Sequence, residues 1–172
     1  MKIAVLSDSH RESTLTKEAI DMLKSKGAKY IIHAGDLEIR ENLEILKNSG
    51  LINISVFGNN DYNLYQYQNE FNIHKEPYYF KIKGETFKLM HLPFYLAPDT
   101  SVVISGHTHI FEHSYLNGTL FLNPGEICAR EKPLSECVLL TIEDDKYTIE
   151  YNKRDPKKQT WDTETIEYER TK

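Results

Sequence analysis

Four short apolar runs in the chain each end in a cluster of polar residues. The runs are IAVL at 3–6, YIIHA at 30–34, INISVF at 52–57 and VVI at 102–104. Continuous runs of this length, rich in β-branched residues, are typical of strands buried on both faces of a sheet. The polar clusters that follow them are SDSH, GD, GNND and SGHTH. We therefore predict four strands, each with a polar carboxyl end.

Helical periodicity fills the two gaps between the first three strands. Apolar residues recur at three- to four-residue spacing in 15–23, with Ser13 or Thr14 as the candidate N-cap, and again in 39–46. A glycine follows each helical pattern as a stop signal. Alternating strands and helices predict a parallel sheet with right-handed crossovers. The polar clusters then lie together at one rim, beyond the carboxyl ends of the strands.

The second half of the chain is rich in strands. Hairpins are predicted around Gly84, around Asn117-Gly118 and around the EDDK turn at 143–146. The simplest arrangement is two sheets packed face to face with helices outside. The last 15 or so residues form either an edge strand or a frayed tail. With no repeat and no linker in the sequence, we predict a single domain over 1–172.

Composition and charge narrow the class of protein. The chain of 172 residues is 40% hydrophobic, and its net charge of −5 comes with scattered Lys and Arg. No basic stripe indicates a nucleic-acid partner, although a small phosphorylated substrate remains compatible. Cys128 and Cys137 lack zinc-site spacing and are interpreted as reduced thiols. No apolar run is long enough for a membrane span. We expect a cytoplasmic protein without a membrane partner.

Nitrogen and oxygen donors are concentrated at the predicted rim. They are Asp8, His10, Asp36, Asn59, His107 and His109, together with His91 at the end of a further strand. This donor set suits divalent Mn, Fe, Co, Ni or Zn. Seven donors exceed one tetrahedral ion but fit two ions that share a carboxylate and hold a hydroxide between them. Two charged carboxylates against two divalent ions leave a net positive charge, which suits a phosphate ester.

Each of these residues also has a structural interpretation when taken alone. A strand-end Asp is commonly a turn or helix-cap residue, and Asn59 fits turn chemistry. His91 fits a partly buried, hydrogen-bonded histidine. The order DxH, GD, GN, H and GHxH at successive strand ends is what favours a metal site over five unrelated turns.

The same series of motifs resembles the calcineurin-like metallophosphoesterase superfamily, especially its small single-domain prokaryotic phosphodiesterase branch. The resemblance extends from residue 1 to about residue 152. It implies an α/β fold, a four-layer α/β/β/α sandwich of two packed mixed sheets. One metal ion would be held by Asp8, His10, Asp36 and His109, and the other by Asp36, Asn59, His91 and His107. Mn²⁺ is the first candidate, with Ni²⁺, Fe²⁺, Co²⁺ or Zn²⁺ as alternatives, and a small homo-oligomer is compatible with the resemblance.

The chain departs from the family pattern next to two motifs. Asn60 stands where phosphatases of the superfamily often have a His, while the acid that follows is retained as Asp61. An amide donates hydrogen bonds but transfers no proton near neutral pH, which favours substrates with good leaving groups. Glu126 follows the NPG motif where Ser is commoner. Arg130, which follows this motif, is expected either to contact a substrate oxygen or to form a surface ion pair.

Two segments bear on surfaces beside the site. In LPFYLAPDT, Pro93 and Pro98 leave little room for a helix, so one outer helix is expected to be shortened or missing. The sheet face that this helix would cover is then exposed to solvent or available to bind a partner. The tyrosines and Phe71 in 62–71 either line a groove for an aryl group or base, or pack on the sheet.

The sequence thus predicts a metal-dependent phosphodiesterase acting on a small phosphate ester. A metal-bridging hydroxide would attack phosphorus in line. The alternative from another class is a binding scaffold of the same fold, like the retromer subunit that resembles this family. Scaffold relatives tend to lose ligand histidines, whereas all four are present here. A single-metal protein remains a third alternative.

Overall fold

The computed structural model describes residues 1–170, which form two mixed β-sheets and two α-helices. The helices are α1 (Ser13–Ser25) and α2 (Arg40–Asn48), with a short 3₁₀ helix over Tyr62–Tyr67. The first six strands are β1 (Lys2–Leu6), β2 (Tyr30–His33), β3 (Ile52–Val56), β4 (Ile73–His74), β5 (Tyr78–Ile82) and β6 (Glu85–Leu89). The remaining six are β7 (Val102–Ile104), β8 (Phe111–Leu116), β9 (Thr119–Pro124), β10 (Ser135–Ile142), β11 (Lys146–Arg154) and β12 (Asp162–Glu169).

The larger sheet has seven strands in the order β12-β11-β10-β1-β2-β3-β4. Strands β1 to β4 are mutually parallel, as the alternating pattern of strands and helices predicted. Strand β10 pairs antiparallel with β1 and begins a meander that ends with β12 at the edge. The predicted hairpin of β10 and β11 is confirmed, and the C-terminal segment forms an edge strand.

The smaller sheet has five strands in the order β5-β6-β7-β9-β8. Two antiparallel hairpins, β5-β6 and β8-β9, flank β7, which pairs parallel with both β6 and β9. Both hairpins form where the sequence predicted them. The parallel pairing places the carboxyl ends of β6, β7 and β9 on one rim, as in the larger sheet.

Two apolar cores hold these layers together. One lies between the sheets and includes Val5 and Ile32 from the larger sheet with Phe87 and Ile104 from the smaller. The other lies between the larger sheet and the two helices, where Ile20 is one of the contributing residues. Burial of such side chains stabilises the fold by roughly 1.5–3 kcal/mol each. The predicted class of two packed mixed sheets is confirmed.

The predicted start of α1 is displaced. The helix begins at Ser13 with Glu12 in the capping position, and no side chain bonds the free N–H groups there. The prediction of Ser13 or Thr14 as the N-cap was therefore wrong. The chain leaves the rim in a tight turn, in which the Glu12 N–H donates to Ser9 O at 3.0 Å. This turn starts the helix earlier than propensity indicates.

The helices cover only one of the two sheets. Within the described chain, the segment 92–101 forms turns and no helix, so the predicted loss of an outer helix is confirmed. The outer face of the smaller sheet carries a groove of about 680 Å³, with Leu96 and Leu116 among its lining residues. Buried Lys88 anchors the connecting loop over this face through Asp99 Oδ1 at 2.6 Å and Ala97 O at 2.7 Å.

Neither helix of residues 1–170 combines the length and apolar character needed to cross a bilayer. In the tyrosine-rich segment, Leu64 and Phe71 are buried while Tyr62 and Tyr65 remain exposed. The segment therefore packs inward through part of its apolar side chains and still presents two rings to solvent.

Candidate metal centre

The seven predicted donors lie at the common rim of the two sheets. Asp8 and His10 follow β1, Asp36 follows β2, and Asn59 follows β3. The smaller sheet contributes His91 after β6 and the pair His107 and His109 after β7. Because both sheets present the carboxyl ends of parallel strands here, residues 101 positions apart in sequence meet within one cluster.

Left-handed backbone conformations aim most of these side chains. The φ angle is 53° at Asp8, 46° at His10, 56° at Asp36, 70° at His107 and 60° at His109. Such conformations cost of order 1–3 kcal/mol each in residues other than glycine and are concentrated at functional sites. The strands end before these residues, so left-handed turns, and not an extension of the strands, orient the pairs Asp8/His10 and His107/His109.

A first group of donors comprises Asp8, His10, Asp36 and His109. His109 Nε2 lies 3.2 Å from Asp8 Oδ1 and 3.4 Å from His10 Nε2. His10 Nε2 in turn lies 3.9 Å from Asp36 Oδ2. Donors bound to one ion at about 2.0–2.2 Å lie about 3–3.5 Å apart. The four atoms are therefore spaced for a common divalent cation.

A second group is built around His91. Its Nε2 lies 2.9 Å from Asn59 Oδ1 and 3.4 Å from Asp36 Oδ2. The ring of His107 packs against it edge to face, with 5.2 Å between centroids. Burial opposes protonation of His91, but hydrogen bonding to Asp36 and its negative charge raise the pKa of His91 to about 8. A positive charge is thus favoured at this point.

Asp36 lies between the two groups. Its Oδ2 is within 4 Å of both His10 and His91. Asn60 N donates to Asp36 Oδ1 at 2.9 Å, and Asn60 Nδ2 donates to Asp36 Oδ2 at 2.6 Å. Burial alone would raise the pKa of Asp36, yet His91 and Asn60 hold that pKa below its usual range. The carboxylate is ionised at neutral pH and lies between the two groups of donors.

The orientation of the imidazoles suits metal binding. His91 Nδ1 lies 2.8 Å from Ala34 O, and His10 Nδ1 lies 2.6 Å from Glu38 Oε1. His109 Nδ1 hydrogen-bonds Glu126 Oε2. Hydrogen bonds at Nδ1 leave Nε2 free as the ligand atom, the usual arrangement of metal-binding histidines.

An unpaired carboxylate oxygen points into the first group. Asp8 Oδ2 accepts hydrogen bonds from Ser7 Oγ at 2.6 Å and His107 N at 3.0 Å. Asp8 Oδ1 is buried and finds no hydrogen-bond partner among residues 1–170. A buried carboxylate oxygen without a partner is costly unless a cation neutralises it. The residues present therefore fit divalent ions.

Two glycines allow the close packing behind the donors. A Cβ at Gly58 would lie 2.2 Å from Asp36 Oδ1, and a Cβ at Gly106 would lie 2.0 Å from Ser7 Oγ. Real Cβ atoms do not approach other atoms so closely. The glycines of the GNND and GHTH stretches are therefore required by space, since neither has a positive φ.

The GNND stretch both closes a turn and contributes donors. Asp61 is buried, and its oxygens accept from Gly58 N at 2.8 Å and Glu38 N at 2.7 Å. Burial raises the pKa of Asp61 to about 6 despite these donors. Asn59 faces His91, and Asn60 donates to Asp36 through its backbone and side chain. Asp61 thus acts on the site through the backbone that it holds.

Arg130 lies at the edge of the first group. Its Nη2 is 3.2 Å from His109 Nε2, and its Nε donates to Glu131 Oε1 at 3.2 Å. The side chain is 53% exposed. The surface ion pair weighed from the sequence is therefore present, and the guanidinium also reaches the donor cluster. A contact with substrate stays a prediction.

The sequence did not single out several residues that orient the donors. Glu38 contacts His10, and buried Asn42 donates to His10 O and Leu37 O, both at 2.7 Å. Cys128 Sγ lies within 4.8 Å of ligand atoms of His10 and His109, although its spacing in the sequence did not indicate a metal site. These contacts join positions far apart in the chain. Only the unusual residue after the NPG motif, Glu126, gave a signal.

Glu126 is a buried carboxylate with several donors. Burial would raise its pKa, but the hydrogen bonds from His109 and from Lys132 N hold that pKa below its usual range. Glu131 N and Cys128 Sγ also donate to it. Glu126 is therefore a fixed negative charge behind His109.

A buried, neutral histidine behind the site predicts that the folded protein loses stability at acid pH. His33 is fully buried between Ser9 Oγ at 2.8 Å and Gly35 N at 3.2 Å. Burial, followed by repulsion from His91, lowers the pKa of His33 to about 3. The unfolded chain binds this proton below about pH 6.5, so the stabilisation is present above that pH and lost as the pH falls towards 3.

Protonation of His33 in the unfolded chain should lower the free energy of unfolding by about 2 kcal/mol between pH 7 and pH 5. Urea unfolding of the metal-free wild type and of His33→Asn at both pH values measures it. The Asn variant keeps an acceptor for Gly35 N–H but does not titrate. It should lose about 2 kcal/mol less than the wild type over this interval. An equal loss in both proteins would show that His33 does not carry the effect.

Comparison with known proteins identifies the family. Residues 1–145 match the calcineurin-like phosphoesterase superfamily domain. A probable metallophosphoesterase of Methanocaldococcus jannaschii is 34% identical over 155 residues, which cover 84% of this chain and 77% of that protein. A phosphodiesterase of the same organism is 26% identical over 160 residues, which cover 86% of this chain and 96% of that protein.

The fold is also found among solved structures. Wild-type Vps29 from Entamoeba histolytica, solved in complex with Zn²⁺, has a TM-score of 0.72 at 21% identity, covering 97% of this chain and 99% of that chain. An identity this low shows the shared fold alone. The family match, in contrast, extends over most of the sequence. The chain therefore belongs to the calcineurin-like phosphoesterase superfamily and is a hydrolase of phosphate esters.

Proposed function

We propose that the chain is a dinuclear metal-dependent phosphodiesterase. Asp8, His10, Asp36 and His109 would hold one divalent ion, and Asp36, Asn59, His91 and His107 the other. The observation that carries the proposal is the position of the Asp36 carboxylate between His10 and His91. Mn²⁺ is the first candidate because the donors at both positions are imidazole, carboxylate and amide groups. Ni²⁺, Fe²⁺, Co²⁺ and Zn²⁺ suit the same donors.

When bound, a pair of divalent ions activates water for in-line attack on phosphorus and offsets the developing charge. The residues of the chain fix the geometry in which this occurs. Asp36 is oriented by the two N–H donors of Asn60, and Asp61 holds the turn that presents Asn59. Asp61 is therefore proposed as a positioning residue. Its oxygens are both engaged by backbone N–H groups.

Asn60 limits the range of leaving groups. Its side-chain amide has a second N–H that can donate to a phosphoryl oxygen, but it supplies no proton to a departing alkoxide. General acid catalysis is worth about 10²–10⁴-fold. Aryl and other good leaving groups should thus react far faster than simple alkyl esters, and a steep dependence of rate on the leaving group would support the role proposed for Asn60.

The charges behind the histidines favour diesters. The charge count made from the sequence included only Asp8 and Asp36, and two carboxylates leave two divalent ions with excess positive charge. Glu38 and Glu126 stand directly behind His10 and His109, so four carboxylates balance two divalent ions. A site without excess positive charge attracts a dianionic monoester less strongly than a positively charged site does. A diester with one negative charge is the better match.

Arg130 is proposed to bind a non-bridging oxygen of the substrate. We expect Arg130→Ala to lower kcat/KM about 10–100-fold, chiefly through KM, because hydrogen bonds to charged groups contribute about 1.5–3 kcal/mol. Steady-state kinetics with an aryl phosphodiester measures this effect. Metal content should stay unchanged. Arg40→Ala, a partly exposed arginine on α2, is the control. An unchanged KM in Arg130→Ala would leave Arg130 as a surface ion pair.

The function is tested by hydrolysis of a bis-aryl phosphodiester and the matching aryl monoester. Protein freed of metal with a chelator should be inactive, and added Mn²⁺ or Ni²⁺ should restore turnover, with the diester preferred. A panel of cyclic nucleotides, nucleotide diesters and monoesters then narrows the natural substrate. No turnover of any ester by protein that contains two ions per chain would overturn the proposal.

A binding scaffold of the same fold is the second candidate. The observation that favours it is the uncovered outer face of the smaller sheet, where Phe94 is 62% and Leu116 is 60% exposed. A protein partner whose binding survives chelator, together with no turnover, would support it. The two free, buried thiols of Cys128 and Cys137 support the proposed cytoplasmic location. A small homo-oligomer stays a prediction.

A further inference from the structure

Two of the four candidate histidine ligands carry a carboxylate on the ring nitrogen that faces away from the site. His10 Nδ1 lies 2.6 Å from Glu38 Oε1, and His109 Nδ1 is hydrogen-bonded to Glu126 Oε2. Both histidines belong to the first group of donors. Their Nε2 atoms lie 3.4 Å apart. Two carboxylate–histidine pairs therefore converge on one metal position.

The histidines of the second group have no such partner. His91 Nδ1 lies 2.8 Å from the uncharged Ala34 O. His107 is exposed, and within residues 1–170 no carboxylate is hydrogen-bonded to its ring. Among residues 1–170, Asp36, Asp8 and Glu76 have carboxylates near this position. Asp36 is shared with the first position, Asp8 Oδ2 accepts from His107 N at 3.0 Å, and Glu76 Oε2 accepts from His91 N. None of these contacts is made to an imidazole Nδ1, so the two positions differ in whether a carboxylate holds the rings of their histidines.

Hydrogen bonds hold Glu126 through its carboxylate and Glu38 through its backbone. Glu126 is fully buried, and its Oε1 accepts from Glu131 N at 2.9 Å and from Lys132 N at 2.8 Å. Glu38 is held by its backbone, which donates to Asp61 Oδ1 at 2.7 Å and accepts from Asn63 Nδ2 at 2.8 Å. The Glu126 carboxylate is thus held before a cation binds, and the backbone of Glu38 is held where its carboxylate reaches His10 Nδ1.

We propose that Glu38 and Glu126 are positioning residues that make the two metal positions unequal, with one ion held tightly by Asp8, His10 and His109. The ion at Asn59, His91 and His107 then exchanges readily. This inference rests on the proposed dinuclear site. A carboxylate on Nδ1 fixes the tautomer, orients the ring and makes Nε2 a stronger ligand. Removing such a partner typically costs 10–100-fold in metal affinity.

The experiment is a titration of metal-free protein with Mn²⁺, followed by calorimetry and by equilibrium dialysis for stoichiometry. The wild type should bind two ions per chain in two classes that differ at least about tenfold in affinity. Glu126→Gln and Glu38→Gln keep the shape of the side chain and remove its charge. Each should weaken the tight class about 10–100-fold and leave the weak class within about threefold.

Glu41→Gln is the matched control, because Glu41 is an exposed carboxylate on α2. This substitution removes the same charge at a position away from the donors. It should change neither class. Unfolding of the metal-free variants checks that each is folded, and Glu38→Gln provides a readout at a partly exposed side chain if Glu126→Gln is unstable. Equal affinities in the wild type, or equal weakening of both classes in the variants, would overturn the inference.

The result separates this inference from the proposed function. Turnover of the aryl phosphodiester is measured on the same preparations. Two distinct classes without turnover would support the inference and contradict the phosphodiesterase. Two classes of equal affinity together with turnover would contradict the inference and support the phosphodiesterase. One ion per chain at saturation would contradict the dinuclear site and this inference together.

Discussion

Replacing Asp36 by Asn should reduce phosphodiester hydrolysis by about 10³-fold or more, the largest effect expected of a single substitution. Metal ions contribute several kcal/mol of transition-state stabilisation, and about 1.4 kcal/mol corresponds to tenfold in rate. Asp36 Oδ2 lies within 4 Å of ligand nitrogens in both groups, so the substitution weakens both proposed positions at once. The amide keeps the size of the side chain and removes its charge.

The measurement is kcat for a bis-aryl phosphodiester together with metal content after dialysis. Asp21→Asn, an exposed residue on α1 paired with Lys17, removes the same charge away from the site and should leave both values unchanged. Asp36→Asn should retain fewer than two ions per chain. A variant that keeps both ions and hydrolyses the diester at the wild-type rate would remove Asp36 from the centre of the site.

Replacing Gly58 by Ala is expected to disable the site without altering any donor. The new Cβ would lie 2.2 Å from Asp36 Oδ1 and 2.4 Å from Asp36 N, so the backbone between β3 and Asn59 must move. A misplacement of about 1 Å can cost 10²-fold in rate. Overpacking of this kind also destabilises a protein by about 1–3 kcal/mol. Activity and metal affinity should fall together.

Gly118→Ala is the control for this substitution. Gly118 has a φ of +77° and open space around it in the β8-β9 turn, at the opposite end of β9 from its NPG terminus. Its substitution should cost about 1–2 kcal/mol of stability through backbone strain alone. Metal affinity should be retained in the folded protein. Equal metal affinity in Gly58→Ala and the wild type would show that the crowding at Asp36 is relieved without moving the donors.

The strands and their common rim follow from local signals in the sequence. The β-branched runs of β1, β2, β3 and β7 are continuous, and two helical patterns separate the first three. Parallel pairing then dictates that residues after these strands meet. The turn dipeptide Asn117-Gly118 fixed the β8-β9 hairpin in the same way. These features depend on periodicity and turn chemistry, which short windows of sequence contain.

The conformation of the rim could not be obtained in this way. Left-handed φ angles at Asp8, Asp36 and His109 oppose local preference, and tertiary hydrogen bonds stabilise them, such as that from His10 N to Asp36 O at 2.8 Å. The start of α1 was misplaced for the same reason, since the rim turn fixes it.

The carboxylates that contact the donor histidines could not be predicted from the sequence, for another reason. The contact between Glu38 and His10 spans 28 positions, and that between Glu126 and His109 joins the segments that follow β9 and β7 of the smaller sheet. No periodicity or motif links these pairs, so the charge count made from the sequence omitted two carboxylates. Only packing of the assembled sheets brings them behind the histidines.

The most direct measurement is a crystal structure of the protein grown with Mn²⁺, with ions located from their anomalous scattering. We predict two ions per chain, one on each side of the Asp36 carboxylate, separated by about 3.5–4 Å. His10 and His109 should contact one ion, and His91 and His107 the other. A single ion, or two ions that do not share Asp36, would contradict the dinuclear site.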